Sequence, residues 1–147
     1  MAAVDPDVDP HVPAHRREPR PRTLGVIAIG GALGALARYG VELWLPTGPG
    51  RFPWGTFAIN VVGCLLIGVL MVLVTDVFTG RTLLRPFLGV GVLGGFTTFS
   101  TYANEVRGLL RPGSVPVAVA YLAGTLVSAL LAVLLGMVLA RRLWVSR

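Results

Sequence analysis

Four long apolar runs dominate the chain, and the polar residues between them come in short clusters. The first run, Leu24 to Leu45, is long enough to cross a bilayer as a helix, because about 20 apolar residues at about 1.5 Å each match the hydrocarbon thickness. Pro46, Gly48, Pro49, Gly50 and Pro53 end it, and a second run follows from Thr56 to Phe78. Arg81 to Arg85 interrupts again before a third run, which starts at Pro86 and leads past Asn104 into Glu105, Arg107 and Arg111. Pro112, Gly113 and Pro116 then restart the chain as a fourth run, Val117 to Ala140, closed by Arg141 and Arg142. The pattern predicts an all-α membrane protein of four transmembrane helices, over about 24–45, 56–78, 86–110 and 116–140. Residues 1–23 hold Pro6, Pro10, Pro13, Pro19 and Pro21 with four arginines and almost nothing to bury, which predicts a disordered cytoplasmic tail. A short C-terminal tail, 143–147, closes the membrane domain of 24–142. Trp44, Trp54 and Trp144 lie at ends of runs, where aromatic belts form.

Composition agrees. The 147 residues are 54% hydrophobic and 14% charged, well below the rough quarter typical of soluble domains, so a water-soluble globule is excluded. The formal charge is +6, yet every basic residue is Arg and these separate the apolar runs instead of forming one stripe, so they read as topology signals and not as a nucleic-acid footprint. Arg16, Arg17, Arg20, Arg22, Arg81, Arg85, Arg141, Arg142 and Arg147 fall on one side of the expected topology, against Arg51, Arg107 and Arg111 on the other. The positive-inside rule then puts both termini in the cytoplasm. The triplet Ala35-Leu36-Ala37 resembles a signal cleavage site, but the apolar run continues past Arg38 to Leu45, a full span and not a short signal core. A single cysteine, Cys64, excludes an intrachain disulfide, and with both histidines in the tail a Cys/His zinc or haem site has no ligands.

The third run carries the chemistry. Its centre reads Gly91-Val92-Leu93-Gly94-Gly95-Phe96-Thr97-Thr98-Phe99-Ser100-Thr101-Tyr102. Gly94 and Gly95 weaken a helix, and hydroxyl side chains satisfy the backbone groups that a break releases, so the third helix is expected to break mid-membrane and to offer freed carbonyls as ion ligands. The competing reading is that these glycines only let helices pack closely. In the fourth run Tyr121, Thr125 and Ser128 fall at i, i+4 and i+7, a stripe of hydroxyl donors within about 60° of one face. Thr56, Asn60 and Gly63 repeat that spacing in the second run. Donors without fixed charge suit an anion that must leave as readily as it enters, whereas for each residue singly the plainer reading is hydrogen bonding between helices. Arg38, near the middle of the first span, either supports such a path or pairs with Glu42 and snorkels outward. Phe99 and Tyr102, at i and i+3, present ring edges that carry positive potential.

These residues resemble the Fluc (CrcB) fluoride channels of bacterial membranes. The match runs over about residues 24 to 140: Gly30-Gly31, Gly34-Ala35 and Arg38-Tyr39 in the first span, Gly55-Thr56, Asn60 and Gly63 in the second, Gly94-Gly95-Phe96-Thr97-Thr98-Phe99-Ser100-Thr101 with Glu105 in the third, and Tyr121 with Gly124 to Ser128 in the fourth. The resemblance implies an antiparallel, dual-topology-type dimer with two pores in the bacterial cell (inner) membrane, through which fluoride leaves passively and its toxicity is reduced. It also implies a structural, non-transported sodium ion held at the dimer centre by the backbone carbonyls of Gly94 and Thr97 from both subunits. Asn60 would touch fluoride, Phe99 and Tyr102 would form an aromatic box, and Tyr121 and Thr125 would lie on a polar track. Arg38, Thr56 and Glu105 would support the path. The family usually has Phe where this chain has Tyr102, and the arginine bias points to pairing either with itself or with an oppositely oriented homologue. A proton-coupled exporter of the small multidrug resistance type needs a carboxylate in mid-span, where the first run has only Glu42 near its end. A non-transporting scaffold subunit would use the polar stripes as helix glue alone. An enzyme is not expected, since the spans hold no His and no close carboxylate pair.

Overall fold

The computed structural model describes residues 21–78 and 80–145, so most of the expected N-terminal tail and the last two residues lie outside the described residues. Helix α1 (Pro21–Trp44) begins just ahead of the first apolar run. Proline suits that place, since the first turn of a helix has no use for its missing N–H. Helix α2 (Trp54–Val72) continues through a π-helical turn, Leu73–Val77. A π-helical stretch, Arg85–Leu93, runs directly into the short α3 (Gly94–Phe96), and after an extended pair of residues the chain resumes as α4 (Phe99–Leu109). Helix α5 (Val115–Ala140) follows, with a last π-helical turn, Arg141–Val145. The described residues are all-helical and contain no strand. Three helices are long and apolar enough to cross a membrane: Pro21–Trp44, Trp54–Val77 and Val115–Val145. The third apolar run is instead divided into halves of about 18 Å and 16 Å by helix rise, each too short to cross alone.

Small residues decide the packing. Helix α1 lies on the Arg85–Phe96 half through Gly30 and Gly34, a four-residue spacing that faces Gly91 and Gly95 at the same spacing. A Cβ at Gly34 would overlap the Val92 carbonyl oxygen, and one at Gly95 would overlap that of Gly31. Helices α2 and α5 meet in the same way, Gly68 against the Val133 carbonyl and Gly136 against that of Leu65. Outside these seams the surfaces are apolar and open, as at Leu36, Leu126 and Leu130, as expected where lipid replaces water as the solvent. Helix α4 packs on α5 through a buried cluster of Tyr102, Leu109, Ala118 and Tyr121. The α1–α2 and α4–α5 loops meet at one end of the molecule: both turn on a glycine at positive φ, Gly50 (φ 70) and Gly113 (φ 90).

Candidate functional site

The interruption in the third run lies at Thr97 and Thr98, not at the glycines. Gly94 keeps helical angles (φ −64, ψ −35), whereas Thr97 (ψ 157) and Thr98 (φ −147, ψ 125) are extended. The close-packing reading therefore holds for Gly95, which seats α1, while the break is made by groups the local sequence does not contain. Asn60 of α2 supplies them. Its side-chain N–H donates to the Thr98 carbonyl (3.0 Å), and the Thr98 N–H donates to its Oδ1 (2.9 Å). A carboxamide thus pairs with the main chain as a neighbouring strand would, removing the demand of two buried backbone groups. Thr98 also caps α4: its Oγ1 accepts from the Thr101 N–H at 3.1 Å. Thr97 closes the preceding helix, with both its N–H and its hydroxyl donating to the Leu93 carbonyl at 2.9 Å.

These bonds free a set of carbonyls. In a continuous helix the oxygens of Gly94 to Thr97 would accept from the N–H groups of Thr98 to Thr101. Here Thr98 donates to Asn60 and Thr101 to the Thr98 hydroxyl, and α4 starts at Phe99. Gly94 is exposed and Thr97 half-buried. Among the described residues there is no group of three or more His, Cys, Asp or Glu side chains placed to hold a metal.

Beside the break lies a cavity of about 310 Å³, lined by Asn60, Thr97, Thr98, Phe99, Tyr102 and Thr125 with apolar neighbours and Cys64. Thr125 is the telling member. It is 4% exposed and its Oγ1 has no hydrogen-bond partner among the described residues. Asn60 has spent one of its two amide hydrogens on Thr98, so one donor is left. Phe99 is 78% exposed, and its ring lies 5.9 Å from that of Tyr102. The Tyr102 hydroxyl, the departure from the family pattern, donates to the Leu122 carbonyl at 2.8 Å and is thereby fixed to α5.

Glu105 lies one layer further along. Its two oxygens accept from the Thr56 hydroxyl (2.9 Å) and the Tyr121 hydroxyl (2.7 Å), linking α2, α4 and α5. Tyr121 is fully buried between the rings of Tyr102 and Phe52, each 5.2 Å away by centroid. Thr56, Asn60, Phe99, Tyr102, Glu105, Tyr121 and Thr125 are therefore one contiguous group. Ser128 is half-buried and among the described residues does not line the cavity; Ala129, eight residues after Tyr121, does. Arg38 is half-buried and forms no ion pair with Glu42 among the described residues. Sequence reasoning did not find the capping role of Thr98 or the anchoring of Tyr102, although Thr is among the residue types preferred at an N-cap.

Comparison with known proteins places this arrangement. A family model described as "CrcB-like protein, Camphor Resistance (CrcB)" matches residues 25–137. A relative from Nocardia farcinica named "Fluoride-specific ion channel FluC 2" is 59% identical over 116 residues, which is 79% of this chain and 83% of the relative. "Fluoride-specific ion channel FluC 1" from Streptomyces coelicolor is 55% identical, covering 81% of this chain and 77% of its own length. A Chloroflexus aurantiacus relative named "Fluoride-specific ion channel FluC" is 45% identical, covering 78% of this chain and 92% of the relative.

Proposed function

Since this chain belongs to the CrcB-like family, whose relatives carry the name of fluoride-specific ion channels, we infer that it is itself a membrane channel for fluoride and not an enzyme. The observation that carries the mechanism is the cavity at the break, which is lined both by Asn60 with its half-used amide and by Thr125, whose buried hydroxyl lacks a partner among the described residues. Stripping a small anion of water at low dielectric costs on the order of 20 kcal/mol in the idealised limit, so a pore must replace that water with donors. The second amide hydrogen of Asn60, the Thr125 hydroxyl and the ring edges of Phe99 and Tyr102 are such donors, and none brings a positive charge that would trap the ion. Tyr121 and Thr56 act behind them, holding Glu105 by both oxygens so that its charge is tied to hydroxyls. Ser128 shares the stripe of Thr125 but is not among the described residues that line the cavity.

The working unit in this reading is an antiparallel dimer of four-span subunits in the bacterial inner membrane, with lipid around it and both termini of this chain in the cytoplasm. The two halves of the third run, end to end, make the fourth crossing. The open side of the cavity supports a second subunit there, because polar groups on a path left open to lipid would be unsatisfied. The arginine bias favours a partner chain of opposite orientation, with self-pairing as the alternative. The freed carbonyls from Gly94 to Thr97 are hard oxygen donors of the kind that suit an alkali cation, so Gly94 and Thr97 of both subunits would hold the structural sodium ion. When bound, that ion supplies a fixed positive charge at the dimer centre. Fluoride leaves passively down its electrochemical gradient, which needs no nucleotide and no mid-span carboxylate, so neither the proton-coupled exporter nor the scaffold reading is favoured.

The test is to reconstitute the full chain in sodium-containing liposomes and to follow fluoride release with a selective electrode, with chloride as the control anion. Release of fluoride but not chloride supports the reading. Silence from this chain alone, persisting when an oppositely oriented homologue is added, overturns it.

A further inference from the structure

A second cavity, of about 490 Å³, lies at the loop end of the molecule between the α1–α2 and α4–α5 connections. Arg51 stands on one loop and Arg111 on the other, both exposed and both without an acidic partner among the described residues. Ser114 and Thr47 add neutral hydroxyls to the wall. Glu105 forms part of the floor, with its two oxygens already accepting from Thr56 and Tyr121. Arg107 and Arg111 also line an adjoining polar recess with Asn104, whose Oδ1 accepts from Arg107. Two arginines thus share the cavity with one carboxylate, and a third lies in the adjoining recess. The loops that carry Arg51 and Arg111 are stiff, built on Pro46, Pro49 and Pro112, and they touch where Gly50 meets Ser114.

We propose that this cavity is a binding site for a doubly charged tetrahedral oxyanion, gripped between Arg51 and Arg111, and that its occupancy slows ion entry. The chemistry differs from that at the break. Neutral donors there suit a bare, small anion, whereas two planar guanidinium forks match the paired oxygens of a sulfate or phosphate. The cavity is also far roomier than a dehydrated fluoride ion needs, and it holds an oxyanion together with its water. A small monovalent anion passes this rim weakly held, while a divalent one stays and opposes the next anion by its charge. The ligand comes either from solution or from a phospholipid headgroup, since the rim is at the depth where both are present. This inference rests on the channel reading above.

The experiment measures fluoride efflux from phosphatidylcholine liposomes holding the full chain, with sulfate or chloride at matched ionic strength, for the wild type and for Arg51→Gln with Arg111→Gln. Sulfate at roughly ten times its dissociation constant is expected to slow the wild type roughly tenfold, because only the empty fraction conducts freely, and to leave the double variant unaffected. Repeating it in phosphatidylglycerol separates the sources: loss of the sulfate response there means that headgroups already fill the site, and its persistence means that the free anion does. Equal slowing of both proteins, or no slowing of a conducting wild type in either lipid, overturns the proposal. If no fluoride is conducted even when an oppositely oriented homologue is added, the channel reading fails separately. The site is then judged by whether sulfate raises the melting temperature of the detergent-solubilised wild type and not of the double variant.

Discussion

Replacing Asn60 by leucine tests the site at its weakest joint. Leucine has the branching of asparagine and is larger, but neither donates nor accepts, so Asn60→Leu removes both bonds to Thr98 without opening a cavity. Thr98 is 7% exposed, so its N–H and C=O would be left unpaired in an apolar surrounding. Each such group costs about 1 to 3 kcal/mol, giving about 2 to 6 kcal/mol against the broken conformation. Two responses are open to the chain. Either the native form survives with that penalty, or Thr98 swings back to donate to the Gly94 carbonyl and the third run closes into a continuous helix. Fluoride flux is lost in both, because the cavity loses its amide donor or its shape. The assay is electrode-recorded efflux from liposomes, paired with cross-linking of the detergent-solubilised protein to show that assembly persists. A further arm, Asn60→Asp, keeps an acceptor for the Thr98 N–H but places a carboxylate where an anion must pass, so it is expected to abolish flux. Wild-type efflux together with wild-type thermal stability in Asn60→Leu would refute the assignment of Asn60 to the break and to the path.

Three further outcomes are expected. Tyr102→Phe should keep its fluoride flux, because the hydroxyl is turned to Leu122 and away from the cavity, and should lower stability by about 1 kcal/mol, seen as a reduced melting temperature; a large drop in flux would show that the hydroxyl itself meets the ion. Thr125→Val removes a hydroxyl with no partner among the described residues, so stability should hold or rise while efflux falls roughly tenfold; unchanged efflux would take Thr125 off the path. Gly34→Ala should push α1 off the broken segment, since its Cβ meets the Val92 carbonyl, at a cost of about 1 to 3 kcal/mol or more, and a melting curve matching wild type would show that the seam yields easily.

The long apolar runs made α1, α2 and α5 readable directly, since twenty apolar residues bounded by Pro and Gly admit few other structures. That the third run is interrupted was legible too, from its glycines and hydroxyls. The point of interruption was not, because it is fixed by Asn60, 38 residues earlier in the chain, and no local propensity encodes a partner that arrives from another helix. Gly95 misled for a related reason: its lack of a side chain serves the contact with Gly31, and its backbone stays helical. Glu105 was visible as an acid without a task, and only the fold shows Thr56 and Tyr121 converging on it. Periodicity grouped Ser128 with Tyr121 and Thr125, whereas from α5 the cavity is lined by Thr125, Leu126 and Ala129.

The side chain of Asn60 ends in the same chemical group as a peptide bond, so α2 in effect lends the broken segment a spare peptide unit. That loan is made only after α2 and the later segment have met. A newly made third run entering the bilayer ahead of that meeting has no outside partner for Thr98, and its cheapest state is one unbroken helix with every main-chain group satisfied within itself. The break thus depends on tertiary packing and not on local sequence, since the bonds that satisfy Thr98 come from Asn60 on another helix. The same dozen residues therefore have two ways to satisfy their main chain, continuous when alone and interrupted when α2 is beside them, and one amide decides between the two.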